Sequence, residues 1–260
     1  MKKDTILILS EPDYFPKKAV QMAALLAKGF EKEVCFIAFA QNEEGKKQIA
    51  DTHEAWNKTL SFSASSFISM SYDNQLSITA EQLEASFLII ELSPTSRYRK
   101  PQPLLNILRT CRIPYIFVNE RTIEIKLNKV MIPVGFLVEE KEKGIFASKM
   151  VRSCGSEVVV LQAKDYGSRA ARSVEQIETL FAKLSITCSV KKAAKDSFGV
   201  QAEAVKRASN GEADFVIITA SREYGLDDII FGPPERKMIT TSCVPLMVLN
   251  PRPDLYVLCD

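Results

Sequence analysis

Apolar residues fall in short bursts along this chain, separated by stretches in which they recur every three or four positions. In the first half the bursts are TILILS (5–10), EVCFIAFA (33–40), ISMSY (68–72), SFLIIEL (86–92) and IPYIFV (113–118). Runs of this length without strict alternation predict strands covered on both faces. Between them, residues 15–30 place Val20, Ala23, Ala24 and Ala27 at helical spacing behind Pro16. Residues 45–67 predict a second helix, with Ile49, Trp56 and Leu60 on one side and the serines of SFSASSF as its end or a loop. Residues 77–85 predict a short helix capped by Ser77 or Thr79. A turn or two of helix is predicted from Leu104 to Thr110.

From residue 128 the order recurs. NKVMIPVG, SEVVVLQA, ITCSVKKA, ADFVIITAS and VPLMVLN read as strands. Residues 140–155 read as a helix stopped by Gly155, and 200–211 as one ending at Gly211. Val174, Ile177, Leu180, Phe181 and Leu184 make a strongly amphipathic helix of 173–185, and 233–242 starts a short helix on prolines. Ser86-Phe87-Leu88-Ile89-Ile90 matches Asp214-Phe215-Val216-Ile217-Ile218, and the Cys111–Val118 run tracks Ser242–Leu249. Two copies of one βα pattern predict an α/β protein of two Rossmann-like domains, 1–122 and 123–260. Each is expected to be a five-stranded parallel sheet with helices on both faces and right-handed crossovers. IEIKL, residues 123–127, could add a short edge strand within the linker.

Composition removes several classes of function. Lys and Arg number 34 against 32 Asp and Glu, so no basic face speaks for nucleic acid or an anionic membrane. No apolar run approaches the roughly 20 residues of a membrane span, and MKKDTILILSE is too short for a secretory signal. The six cysteines are scattered without a Cys-x-x-Cys pair, so reduced thiols and a cytoplasmic location are expected. His53 is the lone histidine, between Ile49 and Trp56 on the predicted helix, so half-buried packing is expected rather than a triad or a metal site. No phosphate-binding Gly-x-x-x-x-Gly-Lys-Ser/Thr loop and no nucleophile elbow is present. Cys243 reads as a buried strand-edge thiol.

Three stretches, Lys129–Gly135, Ala213–Ala220 and Tyr224–Leu249, carry a family likeness. The last contains Gly225-Leu226, Phe231-Gly232, Glu235-Arg236 and Cys243-Val244-Pro245-Leu246-Met247-Val248. The second half resembles a universal stress protein domain, and the whole chain is similar to a tandem universal stress protein. The likeness covers most of 128–250 and extends more weakly to 4–119. It implies an adenine-nucleotide-α-hydrolase-like fold, two domains paired through their last strands as an intramolecular pseudo-dimer, and a role in stress tolerance or signalling. The apolar IPYIFVNE and VPLMVLNPR runs suit such pairing, and PDLYVLCD could cover an edge or join a second chain as a homodimer.

Nucleotide-binding members of the family resemble one another in a Gly-x-x-Gly, nine residues, then Gly-Ser/Thr pattern, and in an acidic residue ending the first strand. With Gly232 as the third glycine, the first two positions are Thr219 and Arg222, and the hydroxyl position is Pro233. The acidic position is Gly135; in the first half it is Ser10 or Glu11, and Pro101 stands where Gly232 does. The resemblance therefore implies a crevice at Val134, Gly135, Phe136, Ala163, Thr219, Ala220, Arg222, Gly225, Gly232, Pro233 and Pro234 whose polyphosphate cradle has eroded. Arg97, Arg99 and Lys100 occupy the matching loop of the first half and read either as a side-chain anion site or as a solvated loop. Arg222 and Glu223 could form a local ion pair.

The leading expectation is a non-catalytic binding or regulatory module with no catalytic residue, metal or cofactor, acting on a protein or small-molecule partner. One alternative is a stress protein that binds ATP or another adenine nucleotide through Val134, Gly135, Thr219, Arg222 and Gly232. Another is a nucleotide-hydrolysing enzyme, for which no base or ligand set is visible.

Overall fold

The computed structural model describes residues 5–165, 167–221 and 233–252. The chain divides into two compact units, Met1–Glu120 and Arg121–Asp260. In the first unit, β1 (Thr5–Leu9), α1 (Lys17–Phe30), β2 (Glu33–Phe39), α2 (Glu43–Asn57), β3 (Ala64–Ser69), α3 (Leu76–Gln82), β4 (Phe87–Leu92), α4 (Pro101–Leu108) and β5 (Tyr115–Asn119) follow one another. The strands pair in the order β3-β2-β1-β4-β5, all parallel. The second unit has β6 (Lys129–Val134), α5 (Lys141–Cys154), β7 (Glu157–Gln162), α6 (Arg169–Lys183), β8 (Cys188–Lys192), α7 (Val200–Arg207), β9 (Phe215–Thr219), α8 (Pro234–Thr241) and β10 (Leu246–Leu249). Its order is β8-β7-β6-β9-β10, again all parallel. The expected α/β class and the repeated five-stranded sheets are present.

The central strands carry the core. Ile6, Leu7 and Ile8 of β1 and Val130, Met131 and Ile132 of β6 are fully buried. Covering both faces of a parallel sheet removes these side chains from water, which is why such strands read as unbroken apolar runs. Strand pairing fixes how the repeats correspond. Ile6 pairs with Phe87 as Val130 pairs with Phe215, so the repeat offset is 124 residues at the first strand and 128 at the fourth. Glu91 pairs with Val118 as Thr219 pairs with Leu249, giving 128 and then 131. Glu11 therefore matches Gly135, and Glu91 matches Thr219.

The edges of the sheets differ from what the apolar pattern predicts. Helix α2 ends at Asn57, and the Asn57 side chain donates to Ala64 O at 2.6 Å and accepts from Ala64 N at 3.0 Å. That clasp starts β3 at Ala64, so SFSASSF supplies strand rather than helix end, and the strand stops at Ser69 instead of running through 72. Ser65, Ser66 and Phe67 are exposed on this edge, so the strand has no apolar run to reveal it. Ser77 and Thr79 lie inside α3 and do not cap it. Helix α4 begins at Pro101, because a proline in the first turn loses no intrahelical bond. Residues 123–127 form no strand, although Ile123 N donates to Cys243 O at 3.2 Å. Gly155 closes α5 in the left-handed region, at φ 70°, as its glycine predicts. PDLYVLCD lies outside the described residues.

Among the described residues, no helix is long and apolar enough to cross a membrane, and no group of three or more His, Cys, Asp or Glu could hold a metal ion. Cys35, Cys111, Cys154, Cys188 and Cys243 are free thiols. Burial pushes Cys35, Cys111 and Cys188 upward and Cys154 up to about 11, so these are protonated at neutral pH. Cys243 is half-buried and precedes β10 rather than lying in it.

Candidate functional site

In a sheet of this order the chain reverses its winding between the first and fourth strands, and a crevice opens beyond their carboxyl ends. In the second unit that place lies between the ends of β6 and β9. A cavity of about 740 Å³ occupies it, lined by groups from β9, α7, α8 and the turn before α5.

At the end of β6, Val134 is buried and its carbonyl accepts from Ala163 N at 2.9 Å. Gly135 follows. A Cβ there would stand 2.7 Å from Ser197 Oγ and 2.9 Å from Ser197 Cβ. Ser197 is fixed in that position: Phe136 N donates to its Oγ at 3.0 Å, its own N donates to Asp165 at 2.9 Å, and its Oγ donates to the same carboxylate. The space of a first-strand acidic side chain is thus filled by a serine. Gly135 N donates to Glu140 Oε2 at 3.1 Å, and that oxygen also receives the Lys143 ammonium at 2.6 Å. Lys143 is fully buried; burial lowers its pKa, opposed by Glu140 and Glu139.

At the end of β9, the Gln201 amide bonds Thr219 twice, accepting from N at 2.7 Å and donating to O at 3.0 Å. Ala220 N donates to Leu249 O. Ser221 donates from both N and Oγ to Glu235 Oε1, at 2.5 and 2.8 Å. Helix α8 opens on Pro233 and Pro234, which have no N–H to offer. The amides and helix end that favour an anion here face the chain's own Glu235 carboxylate.

The first unit closes its crevice the same way. Glu11, which matches Gly135, is buried and accepts from Arg97 N at 3.1 and 3.2 Å. The Arg97 guanidinium bonds Asp73 and the Tyr98 hydroxyl and lies 3.9 Å from Glu11. Glu91 accepts from Lys18 N at 2.8 Å, Ala19 N at 2.9 Å and Tyr14 Oη at 2.8 Å, capping α1 where no side chain of its own does. Burial and the neighbouring carboxylates push Tyr14 up to about 12. Arg97 is thus spent on internal carboxylates, while Arg99 and Lys100 are exposed. His53 is buried more deeply than half: Nε2 shares a hydrogen bond with Ser10 Oγ at 2.9 Å and Nδ1 with Ser66 Oγ at 2.6 Å. It stacks on Phe36, and neither ring nitrogen meets a carboxylate, so it is a packed core group.

No protein-family model and no curated protein matches the chain. Solved structures do. A universal stress protein from Archaeoglobus fulgidus DSM 4304 superposes with a TM-score of 0.70 at 14% identity, over 96% of this chain and 97% of that one. The fold is that of the universal stress proteins. A functionally unknown protein from Pseudomonas aeruginosa PAO1 matches at TM-score 0.67 and 15% identity, over 98% and 95% of the two chains. The cytoplasmic domain of a prokaryotic cation chloride cotransporter matches at 0.57 and 15%, over 95% and 96%.

Of the residues expected in the crevice, Thr219, Ala220 and Pro234 line the cavity. Val134, Gly135 and Ala163 stand at the ends of β6 and β7 beside it, and Phe136 makes an edge-to-face pair with Phe198 at 5.7 Å. Pro233 is buried at the start of α8. Arg222, Gly225 and Gly232 lie outside the described residues, as does the Arg222–Glu223 pair. Sequence reasoning missed Ser197, Gln201, Glu140 and Glu235, which shape the site. The first-turn position of Glu235 complements the helix dipole and is a signal that could have marked it, but that position does not reveal its partner, Ser221.

Proposed function

We propose that this chain is a non-catalytic binding or regulatory module on a universal stress protein fold, and that it does not hold ATP in the manner of nucleotide-binding members. The observation that carries this reading is the carboxylate of Glu235 on Ser221 N and Oγ, at the loop where a phosphate would need those donors. Two further features support it. Ser197 fills the acidic position at Gly135, and Glu11, its counterpart in the first unit, is committed to Arg97 N. A buried carboxylate and an incoming phosphate cannot share one set of donors without strong repulsion.

Calorimetric titration with magnesium ATP tests the reading. The expected result is no saturable heat up to about 1 mM, a free energy weaker than about −4 kcal/mol. Saturable binding in the micromolar range, or magnesium-dependent phosphate release above buffer, overturns it. A second reading, a regulatory domain serving a membrane transport protein, draws on the likeness to the cotransporter's cytoplasmic domain. Recovery of the chain with washed membranes supports that reading, and recovery in the supernatant alone rejects it.

A further inference from the structure

Strand β3 ends the sheet of the first unit and pairs on one side only, with β2. Ser69 O accepts from Ala40 N at 2.9 Å, with Phe39 opposite Ser69 in the parallel register. Along a strand, the N–H and C=O of one residue point to the same side, and successive residues alternate. Ser65, Phe67 and Ser69 therefore turn their main-chain groups to β2, and Ala64, Ser66 and Ile68 turn theirs outward. The Asn57 side chain takes both groups of Ala64. Among the described residues, nothing takes those of Ser66 and Ile68.

Open edges attract other strands, and soluble proteins guard them with lysines, prolines, bulges or a covering element. The matching edge of the second unit, β8, is guarded. Ala193 N donates to Gln162 O at 2.8 Å, so Cys188, Val190 and Lys192 face outward. Arg207 holds Lys192 O at 3.2 Å, and Lys191 and Lys192 place two ammonium groups on this five-residue strand. Strand β3 has none of these devices. No charged residue lies between Lys58 and Asp73, the six residues of β3 include no proline, and their register with β2 is unbroken. Ser66 Oγ meets His53 of α2, so Phe67 lies on the opposite face of the strand, where it is 36% exposed.

We propose that β3 is a self-association edge, and that two copies of this chain join antiparallel along it about a two-fold axis at Phe67. The open groups are symmetric about that residue. Ser66 then exchanges both its bonds with the partner's Ile68, and Ile68 with the partner's Ser66, giving four main-chain bonds. Met70 comes opposite the partner's Ala64, whose outward groups are already held, so the ladder stops there. On the exposed face, Phe67 meets the partner's Phe67 and Ser65 meets the partner's Ser69, aromatic and hydroxyl pairs that stabilise neighbouring strands. With no charge on either edge, a second copy meets no like-charge repulsion. The contact is short and belongs with interfaces that bury less than roughly 1,200 Å², so association between about 10 µM and 1 mM is expected. This inference goes beyond the crevice reading and does not rest on it.

Sedimentation equilibrium of the full chain tests this. The mass is expected to rise from 29.1 kDa toward twice that value as concentration increases. Phe67→Lys sets like charges opposite each other at the axis and is expected to weaken the dimer at least about tenfold, while Val190→Lys on β8 leaves it unchanged. A second measurement does not depend on loss of association. Under mild oxidation Phe67→Cys is expected to give a covalent dimer, identified by its disulfide-linked peptide, because facing residues of this kind have Cα atoms about 4.5 Å apart, within disulfide reach. Ser65→Cys serves as control, since its two copies lie roughly 14 Å apart along the strands. A mass that stays at 29.1 kDa up to about 1 mM overturns the proposal and leaves the edge to an extended segment of another protein. Association that Phe67→Lys leaves intact, or equal cross-linking of the two cysteine variants, overturns it as well.

Discussion

The protein carries one histidine, and the fold decides its charge. His53 is 1% exposed, stacked on Phe36 at 5.0 Å with Trp56 beside it at 5.3 Å, and its hydrogen-bond partners are neutral serines. Burial drives the imidazole from 6.5 down to about 4. The unfolded chain therefore takes up a proton between these values while the folded chain does not. Stability is complete above about pH 6.5, falls as pH is lowered toward 4, and stops falling below that. The full span of 2.5 pH units corresponds to about 3 kcal/mol, of which about 2 kcal/mol is lost by pH 5. Two measurements check this. The single imidazole Hε1 resonance should hold its shift from pH 7.5 down to pH 5. In urea, wild type should lose about 2 kcal/mol more than His53→Gln between pH 8 and pH 5, because the variant has nothing to protonate there. A titration midpoint between 6 and 7, or equal acid losses in both proteins, refutes the assignment of His53 to a closed, uncharged environment.

Three further outcomes follow from the same geometry. Gly135→Ala should cost about 1–3 kcal/mol by pressing its Cβ onto Ser197, and the cost should shrink in a Ser197→Gly background; equal costs in the two backgrounds would show that Ser197 does not fill this space. Glu91→Gln should cost about 1–2 kcal/mol in urea unfolding by weakening the charged cap on Lys18 N and Ala19 N, with reduced amide protection in the first turn of α1; unchanged protection there would reject the cap. Cys154, pushed up to about 11, should alkylate at pH 8 roughly a hundredfold more slowly than a free thiol and react readily once urea unfolds the chain, as read from its peptide mass; rapid labelling in the folded state would contradict its burial.

The interior was far more legible in the sequence than the edges. Runs such as ILIL and FLII name central parallel strands because burial on both faces allows little else. Strand β3 escaped that logic, since an exposed edge needs no apolar run and its start is set by the Asn57 clasp across seven residues. The prolines at α8 and Gly155 at α5 marked helix ends by backbone chemistry that acts locally. In the site, Gly135, Thr219, Ala220 and Pro234 were named through the resemblance to universal stress proteins, and the structure places Thr219, Ala220 and Pro234 on the cavity. Ser197, Gln201 and Glu235 were not, because each acts on a residue brought near only by the crossovers.

Local chemistry and periodicity alone therefore settled the α/β class and the duplication. Register and the identity of the acceptors at the strand ends were decided in three dimensions. Main-chain donors at a crevice must be satisfied by some acceptor. Which acceptor reaches them, Glu235, Glu11 or Glu91, depends on which distant side chain the folded sheet carries to that point.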